Sequence, residues 1–356
     1  MEQLSQIETF LSLHKQRLEA MKAGTNGYRE RQGHLPGGAG LLHPAVQDAL
    51  NEYLFKPAME LRQRPSHSFR SQLVDLGFLL AQGLLPKAQD RHNLDICADS
   101  IEYLHLGSLI VDDIQDGSEV RRSGKALHCI LGTPHALGVG NWLYFYSLRI
   151  LSNLELSEAQ RNALYEVYHE TVEIAHYGQI LDLCVKIDRV PYSQMDTLSH
   201  ECMRYKTGSI VMLALMLGAL VGGADQARLK AVEHLGYALG IYLQRMNDLG
   251  NCAGSFDPEK KWEDLIQWKP SFIWGFVARE YGQADVQQLI EAVRALPDDS
   301  AWQAWMDSHK LCDEAKALAE REMDQALRDF KNATHMSWSD LRPLAQLKER
   351  IQKAYG

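Results

Sequence analysis

Three carboxylates and two guanidinium groups stand close together in one stretch of the chain: Asp112, Asp113 and Asp116 in LIVDDIQD, then Arg121 and Arg122 in SEVRRSG. On a helix, residues three and four apart share a face, so Asp112 or Asp113 can present a carboxylate in the same direction as Asp116. Such a group repels itself unless divalent cations sit between the carboxylates. Two arginines beside it point to a diphosphate as the other ligand of those cations. The plainer alternative is a solvated acidic helix end next to a basic loop.

A weaker version of the pattern follows in LGIYLQRMNDLGN, where Asn247, Asp248 and Asn251 fall at i, i+1 and i+4 at the end of an apolar helix. The two amides offer carbonyl oxygens to a hard cation without adding charge. Asn and Asp before Gly are also ordinary helix terminators. Three further segments carry polar groups on apolar walls: Gly178, Gln179 and Asp182 in AHYGQILDLC, Lys206-Thr207-Gly208 inside a helix, and Glu263-Asp264 with Lys269 in EDLIQWKPSF. Placing them there is costly unless they are paired or serve a ligand. Each has its own plain alternative, an interhelical hydrogen bond for Gln179 and Asp182 and a surface position for the lysines. Taken together they describe a helical barrel whose mouth holds metal and diphosphate ligands and whose wall is greasy.

Helical periodicity dominates the elements that must position these residues, and no convincing set of alternating strands is present. The fold class is therefore all-α. The spacing predicts helices over 3–22, 44–61, 89–116, 134–154, 157–186, 193–223, 226–252, 263–282 and 284–295, with a break around Arg64 to Arg70 and a loop from Gly117 to Lys125. The domain reading is a helix and Gly-rich linker over 1–40, one large helical domain over 41–300, and covering helices of the same domain over 301–356. A net charge of -9 argues against a general nucleic-acid binder, so anionic ligands must be caught by local cations. The amino-terminal segment lacks the apolar core of a signal peptide. The longest apolar run, Ile210 to Gly223, has 14 residues, too few to span a bilayer, and reads as a core helix. Six scattered cysteines without a CxxC pair fit a reduced, cytoplasmic setting.

With LHLGSLIVDDIQDGSEVRRSGKALH, HYGQILDL, YKTGSIV, LQRMNDLGN and EDLIQWKPSF in this order and spacing, the chain resembles the trans-isoprenyl diphosphate synthases over roughly residues 50 to 275. Within them it is most similar to the geranylgeranyl diphosphate synthases typical of fungi and animals. The resemblance implies a single helical barrel of the isoprenoid synthase type with a central apolar cavity, assembled as a homodimer. By the same resemblance, Asp112, Asp113 and Asp116 bind Mg²⁺ that holds an allylic diphosphate, and Asp248, with Asn247 and Asn251, holds the last of three such ions. Arg121, Lys206 and Lys269 would contact the allylic diphosphate. Arg122, Arg70 and His105, with position 67, would bind isopentenyl diphosphate, while Gln179 and Thr207 would flank the reacting carbons. Metal ions and cations then draw the diphosphate away, a dry cavity protects the allylic cation, the alkene of isopentenyl diphosphate attacks it, and the resulting cation loses a proton to the released diphosphate.

Two motifs depart from the family pattern. The family's Gly-Lys-x-x-Arg reads Ser66-His67-Ser68-Phe69-Arg70 here, which exchanges a permanent cation for a group mostly neutral near pH 7. Its second aspartate motif begins with Asn247 instead of Asp. Condensation to geranylgeranyl diphosphate is the reading adopted. The alternative is a class I terpene synthase on the same scaffold, in which Asn251, Ser255 and Glu259 recur at steps of four, although Gly254 and Pro258 argue against a continuous helix through them. A non-catalytic regulatory subunit is the third reading, opposed by the intact first motif. Gly107 and Ser108, the fifth and fourth residues before Asp112, are small and leave room for a C20 chain; the competing account is that they allow close helix packing.

Overall fold

The computed structural model describes residues 43–65, 70–84, 86–253 and 261–355. The helix expected over 3–22, the Gly-rich linker, His67, Ser255 and Glu259 lie outside the described residues. The helices are α1 Pro44–Leu50, α2 Lys56–Gln63, α3 Arg70–Gln82, α4 Ala88–Asp116, α5 Leu127–Leu131, α6 Thr133–Ile150, α7 Glu158–Cys184, α8 Tyr192–Met203, α9 Ser209–Val221, α10 Gln226–Ala253, α11 Glu263–Ile266, α12 Phe272–Glu280, α13 Gln283–Arg294, α14 Ser300–His309, α15 Leu311–Thr334 and α16 Arg342–Tyr355. The protein is all-α, as the periodicity requires.

Three local departures matter for the site. The expected loop from Gly117 to Lys125 contains a small antiparallel hairpin, β1 Val120–Arg121 and β2 Gly124–Lys125, with Arg121 opposite Gly124. Its tip residues Arg122 and Ser123 have φ of 52° and 59°, as a two-residue hairpin turn of this hand demands. Neither residue type announces such a turn. The expected helix over 193–223 is interrupted by a π-helical turn at Arg204–Gly208, and the one over 263–282 is broken where Trp268 turns left-handed (φ 59°) just before Lys269-Pro270. A proline cannot donate to a preceding turn, so α12 starts afresh. Counted through the π turn, Tyr192 to Val221 forms 30 helical residues, long and apolar enough by composition to cross a membrane. In the folded chain, however, every residue of α9 from Val211 to Val221 is buried in protein.

Contacts divide the chain into two compact units, one built from the residues up to Gln72 with Asp95–Leu154, the other from Leu73–Leu94 with the residues from Glu155 onward. In the first unit, Leu61, Leu106, Ile110, Leu127, Val139 and Leu143 form the apolar core between α2, α4 and α6. Here α4 and α6 approach so closely at Gly107 and Gly140 that a Cβ on Gly107 would lie 2.9 Å from the Gly140 carbonyl oxygen. In the second unit α9 is the central element, enclosed by the end of α3, by α7 and by α10. Each fully buried leucine on it, such as Leu213, Leu215 and Leu217, contributes roughly 1.5–3 kcal/mol of hydrophobic stabilisation. Helix α7 opens on a Ser157–Gln160 capping box and carries Gly178, Gln179 and Asp182 in its final turns.

Candidate active site

The first unit holds the aspartate end of α4 and the arginine hairpin. Asp113 is almost fully buried, and its Oδ1 accepts hydrogen bonds from Arg121 Nε at 2.7 Å and from a terminal nitrogen of the same guanidinium. That terminal nitrogen also lies 3.5 Å from Asp112 Oδ2. Burial opposes the Arg121 charge, but the Asp113 hydrogen bond and the charges of Asp113, Asp112 and Asp116 outweigh it and raise its pKa. Asp113 is therefore the anchor that aims the arginine. Asp112 and Asp116, one turn apart, keep partial exposure to solvent and are the carboxylates placed to meet a ligand.

Two turns before Asp112, His105 is held neutral. Burial and the positive charges of Arg70, Arg122 and Arg121 push its pKa well below the usual imidazole value. The Arg122 guanidinium in turn has its pKa lowered by burial and by Arg70, Arg121 and Arg64, against the opposing charge of Glu102. The residues expected to bind a second diphosphate, Arg70, His105 and Arg122, are thus gathered in mutual electrostatic reach. Like charges concentrated in this way attract an anion. Ser108 Oγ donates to the His105 carbonyl at 2.8 Å.

The second unit assembles the remaining residues. One oxygen of Asp182, Oδ2, lies 2.6 Å from Lys206 Nζ and 3.5 Å from Lys269 Nζ. The π turn presents Lys206 to this carboxylate, and α7 comes very near it: a Cβ on Gly178 would fall 2.2 Å from the Lys206 backbone nitrogen. Thr207 Oγ1 donates to Gln244 Oε1 at 2.6 Å, and Gln244 Nε2 donates to Asp248 Oδ1 at 2.7 Å. The Phe272 N–H donates to Asp248 Oδ2 at 2.8 Å. Buried, and facing the charge of Asp264, the Asp248 carboxyl is pushed up to about 7. Asn251 Nδ2 donates to Asp264 Oδ2 at 2.9 Å, leaving Asn251 Oδ1 buried with no hydrogen-bond partner among the described residues. Asn247 and Gln179 are half-buried beside these groups on α10 and α7.

Two contributors escaped the sequence reading. Gln244 joins Thr207 to Asp248, and its signal was its position one turn before Asp248 on the same helix face. Arg64, in the break after α2, contacts the hairpin and had no sequence signal at all. The donor set suits Mg²⁺. Among the described residues no three Asp, Glu, His or Cys side chains converge on one point. An ion held by one or two carboxylates and completed by phosphate oxygens and water needs no such cage. The partnerless Asn251 Oδ1 is a hard donor of the right kind, and the crowded acids Asp248 and Asp264 would be relieved by a cation.

The chain belongs to the polyprenyl synthetase family, whose model matches residues 51–304. The family read from the aspartate motifs is the one the whole match supports. Geranylgeranyl pyrophosphate synthase 2 of Zymoseptoria tritici is 30% identical over 251 residues, spanning 70% of this chain and 67% of that protein. A terpene synthase of Matsumurasca onukii is 29% identical over 262 residues, spanning 73% and 76% of the two chains. The crystal structure of a geranylgeranyl pyrophosphate synthase from Corynebacterium glutamicum, complexed with isoprenyl diphosphate and magnesium, shares the fold at a TM-score of 0.70, with 19% identity over 97% of this chain and 98% of that one.

Proposed function

We propose that the protein joins isopentenyl diphosphate head to tail with an allylic diphosphate and releases geranylgeranyl diphosphate. The observation that carries this reading is the gathering of two cations, Arg70 and Arg122, around His105 on α4, in the unit that also holds the aspartate end of that helix. A cyclase, which ionises a single diphosphate, has no use for a second diphosphate site. Relatives named geranylgeranyl pyrophosphate synthase support the same product class.

In this mechanism the chain's residues hold and neutralise. Arg121, aimed by Asp113 in the first unit, and the lysines gathered by Asp182 in the second are each cations of the kind that draws charge from a departing diphosphate. Three Mg²⁺ ions, held by Asp112 and Asp116 in the first unit and by Asp248 with Asn247 and Asn251 in the second, would supply positive charge of the kind a leaving diphosphate requires, while Asp113, expected among the ligands, is buried against Arg121 instead. Thr207 donates to Gln244 and Gln179 lies one turn before Asp182 on α7; by the resemblance to the family these two residues would flank the reacting carbons. A dry apolar cavity of the kind the resemblance implies would exclude water that quenches the allylic cation. No side-chain nucleophile takes part.

Cyclisation is the second reading, favoured by Asn247, by His67 and by the relative named a terpene synthase. Incubation with Mg²⁺ and geranylgeranyl diphosphate alone separates the two. Recovery of intact diphosphate is the expected result, and a released hydrocarbon would establish the cyclase.

Product length rests on Ser108. A phenylalanine at Gly107 meets the α6 backbone and is expected to cost folding, so the packing account applies to that position. Ser108→Phe is expected to shift the product from C20 to C15, read by chromatography of the dephosphorylated alcohols; an unchanged product contradicts the assignment. The assembly we propose is a homodimer in the cytoplasm. Exposed Ile130, Leu137 and Phe145 on α5 and α6 support a covered face, and the six unpaired cysteines fit a reducing compartment. Light scattering at twice the 40.3 kDa chain mass is the expected result, and the single-chain mass contradicts it.

A further inference from the structure

The arginine hairpin is tied to the end of α2 by bonds running both ways. Arg122 directs a terminal guanidinium nitrogen to the Leu61 carbonyl at 3.4 Å, a cation at the carbonyl end of a helix. In return Arg64, the residue that ends α2, directs one guanidinium nitrogen to two hairpin carbonyls, Arg121 O at 3.0 Å and Lys125 O at 2.8 Å. These carbonyls flank the tip on both sides. The guanidinium lies against Gly124, where a Cβ would stand 3.2 Å from its central carbon. Glycine here is what lets the flat group rest on the turn.

The tip needs such a fastening for two physical reasons. Arg122 and Ser123 occupy left-handed backbone, which costs non-glycine residues energy unless the surroundings fix it. Arg122 also sits among like charges that would drive it outward. Both bonds leave one terminal nitrogen, whose two N–H groups are fixed in the guanidinium plane and strengthened by its charge, at the end of a side chain one bond longer than lysine's.

We infer that Arg64 is a positioning residue, which clamps the hairpin so that Arg121 and Arg122 hold fixed guanidinium groups for the diphosphates they meet, Arg121 for the allylic one and Arg122 for that of isopentenyl diphosphate. It holds the hairpin by its backbone and acts on the ligand through the two arginines. The inference deepens the proposed condensation, on which it rests for the identity of the ligand, and Arg64 also brings a permanent cation to a chain that carries histidine at 67.

Binding of inorganic diphosphate without Mg²⁺, measured by calorimetry on the full chain, tests the clamp separately from turnover. The expected result is about tenfold weaker binding in Arg64→Ala, with partial recovery in Arg64→Lys, which keeps the charge but ends one bond short of the guanidinium's terminal nitrogen. Gly124→Ala, which presses on the guanidinium, is expected to weaken binding by about threefold, and together with Arg64→Ala it should add little, because both act on one contact. Thermal midpoints close to wild type in all variants show that the fold is kept. Wild-type affinity in Arg64→Ala, full recovery by lysine, or no measurable diphosphate binding by the wild type would overturn the assignment. If the clamp result holds while labelled isopentenyl diphosphate is never incorporated, the condensation reading fails and the clamp stands.

Discussion

Asp112→Ala is expected to leave a folded protein whose turnover of an allylic diphosphate falls by about 10³-fold or more. Asp112 is partly exposed at the end of α4 and lies 3.5 Å from Arg121, whose closer partner is Asp113, so its loss is expected to cost the fold less than the loss of Asp113. What it removes is a carboxylate aimed at the ligand, needed when charge develops on the departing diphosphate. Both condensation and cyclisation begin with that departure, so the effect does not depend on which follows. The neighbouring Asp113→Ala is expected to behave differently. Asp113 is buried in its ion pair, and its loss strands Arg121 in a half-buried position, a change that costs about 3–5 kcal/mol in comparable buried pairs. Steady-state rates and denaturant midpoints measured on both variants check the contrast. Wild-type rates in Asp112→Ala would remove this carboxylate from the chemistry.

Gly178→Ala is expected to damage fold and activity together. The added methyl would point at the Lys206 backbone nitrogen from 2.2 Å and at the Tyr205 carbonyl carbon from 2.6 Å. Both are backbone atoms of a π turn, with no flexible end to swing away. Forcing α7 and the π turn apart costs about 3 kcal/mol, and it draws Lys206 away from Asp182 and Thr207 away from Gln244. The predicted readout is a lower denaturant midpoint with a larger fall in turnover than stability alone explains at temperatures where the variant is folded. A wild-type midpoint and rate would show that the close approach is not required.

The sequence made the helices and both acid clusters legible because each is a local pattern. Periodicity set α4, α7 and α10 within a few residues, and the aspartates lay at spacings that only a helix brings to one face. The breaks were also marked, by Lys206-Thr207-Gly208 and by Pro270, although the π turn itself was not foreseen. What stayed hidden depends on partners far along the chain. Arg64 reaches carbonyls 57 and 61 residues away, and a backbone carbonyl leaves no mark in a sequence. The hairpin turn was missed because Arg122 and Ser123 are not residues that favour left-handed backbone. Gly107 was legible as small, yet only the crossing of α4 and α6 tells packing space from ligand space.

Incorporation of labelled isopentenyl diphosphate tests the central claim most directly. The protein is incubated with Mg²⁺, farnesyl diphosphate and labelled isopentenyl diphosphate, and the diphosphate products are separated by chain length. The account predicts label in a C20 diphosphate, and label remaining wholly in isopentenyl diphosphate would contradict it.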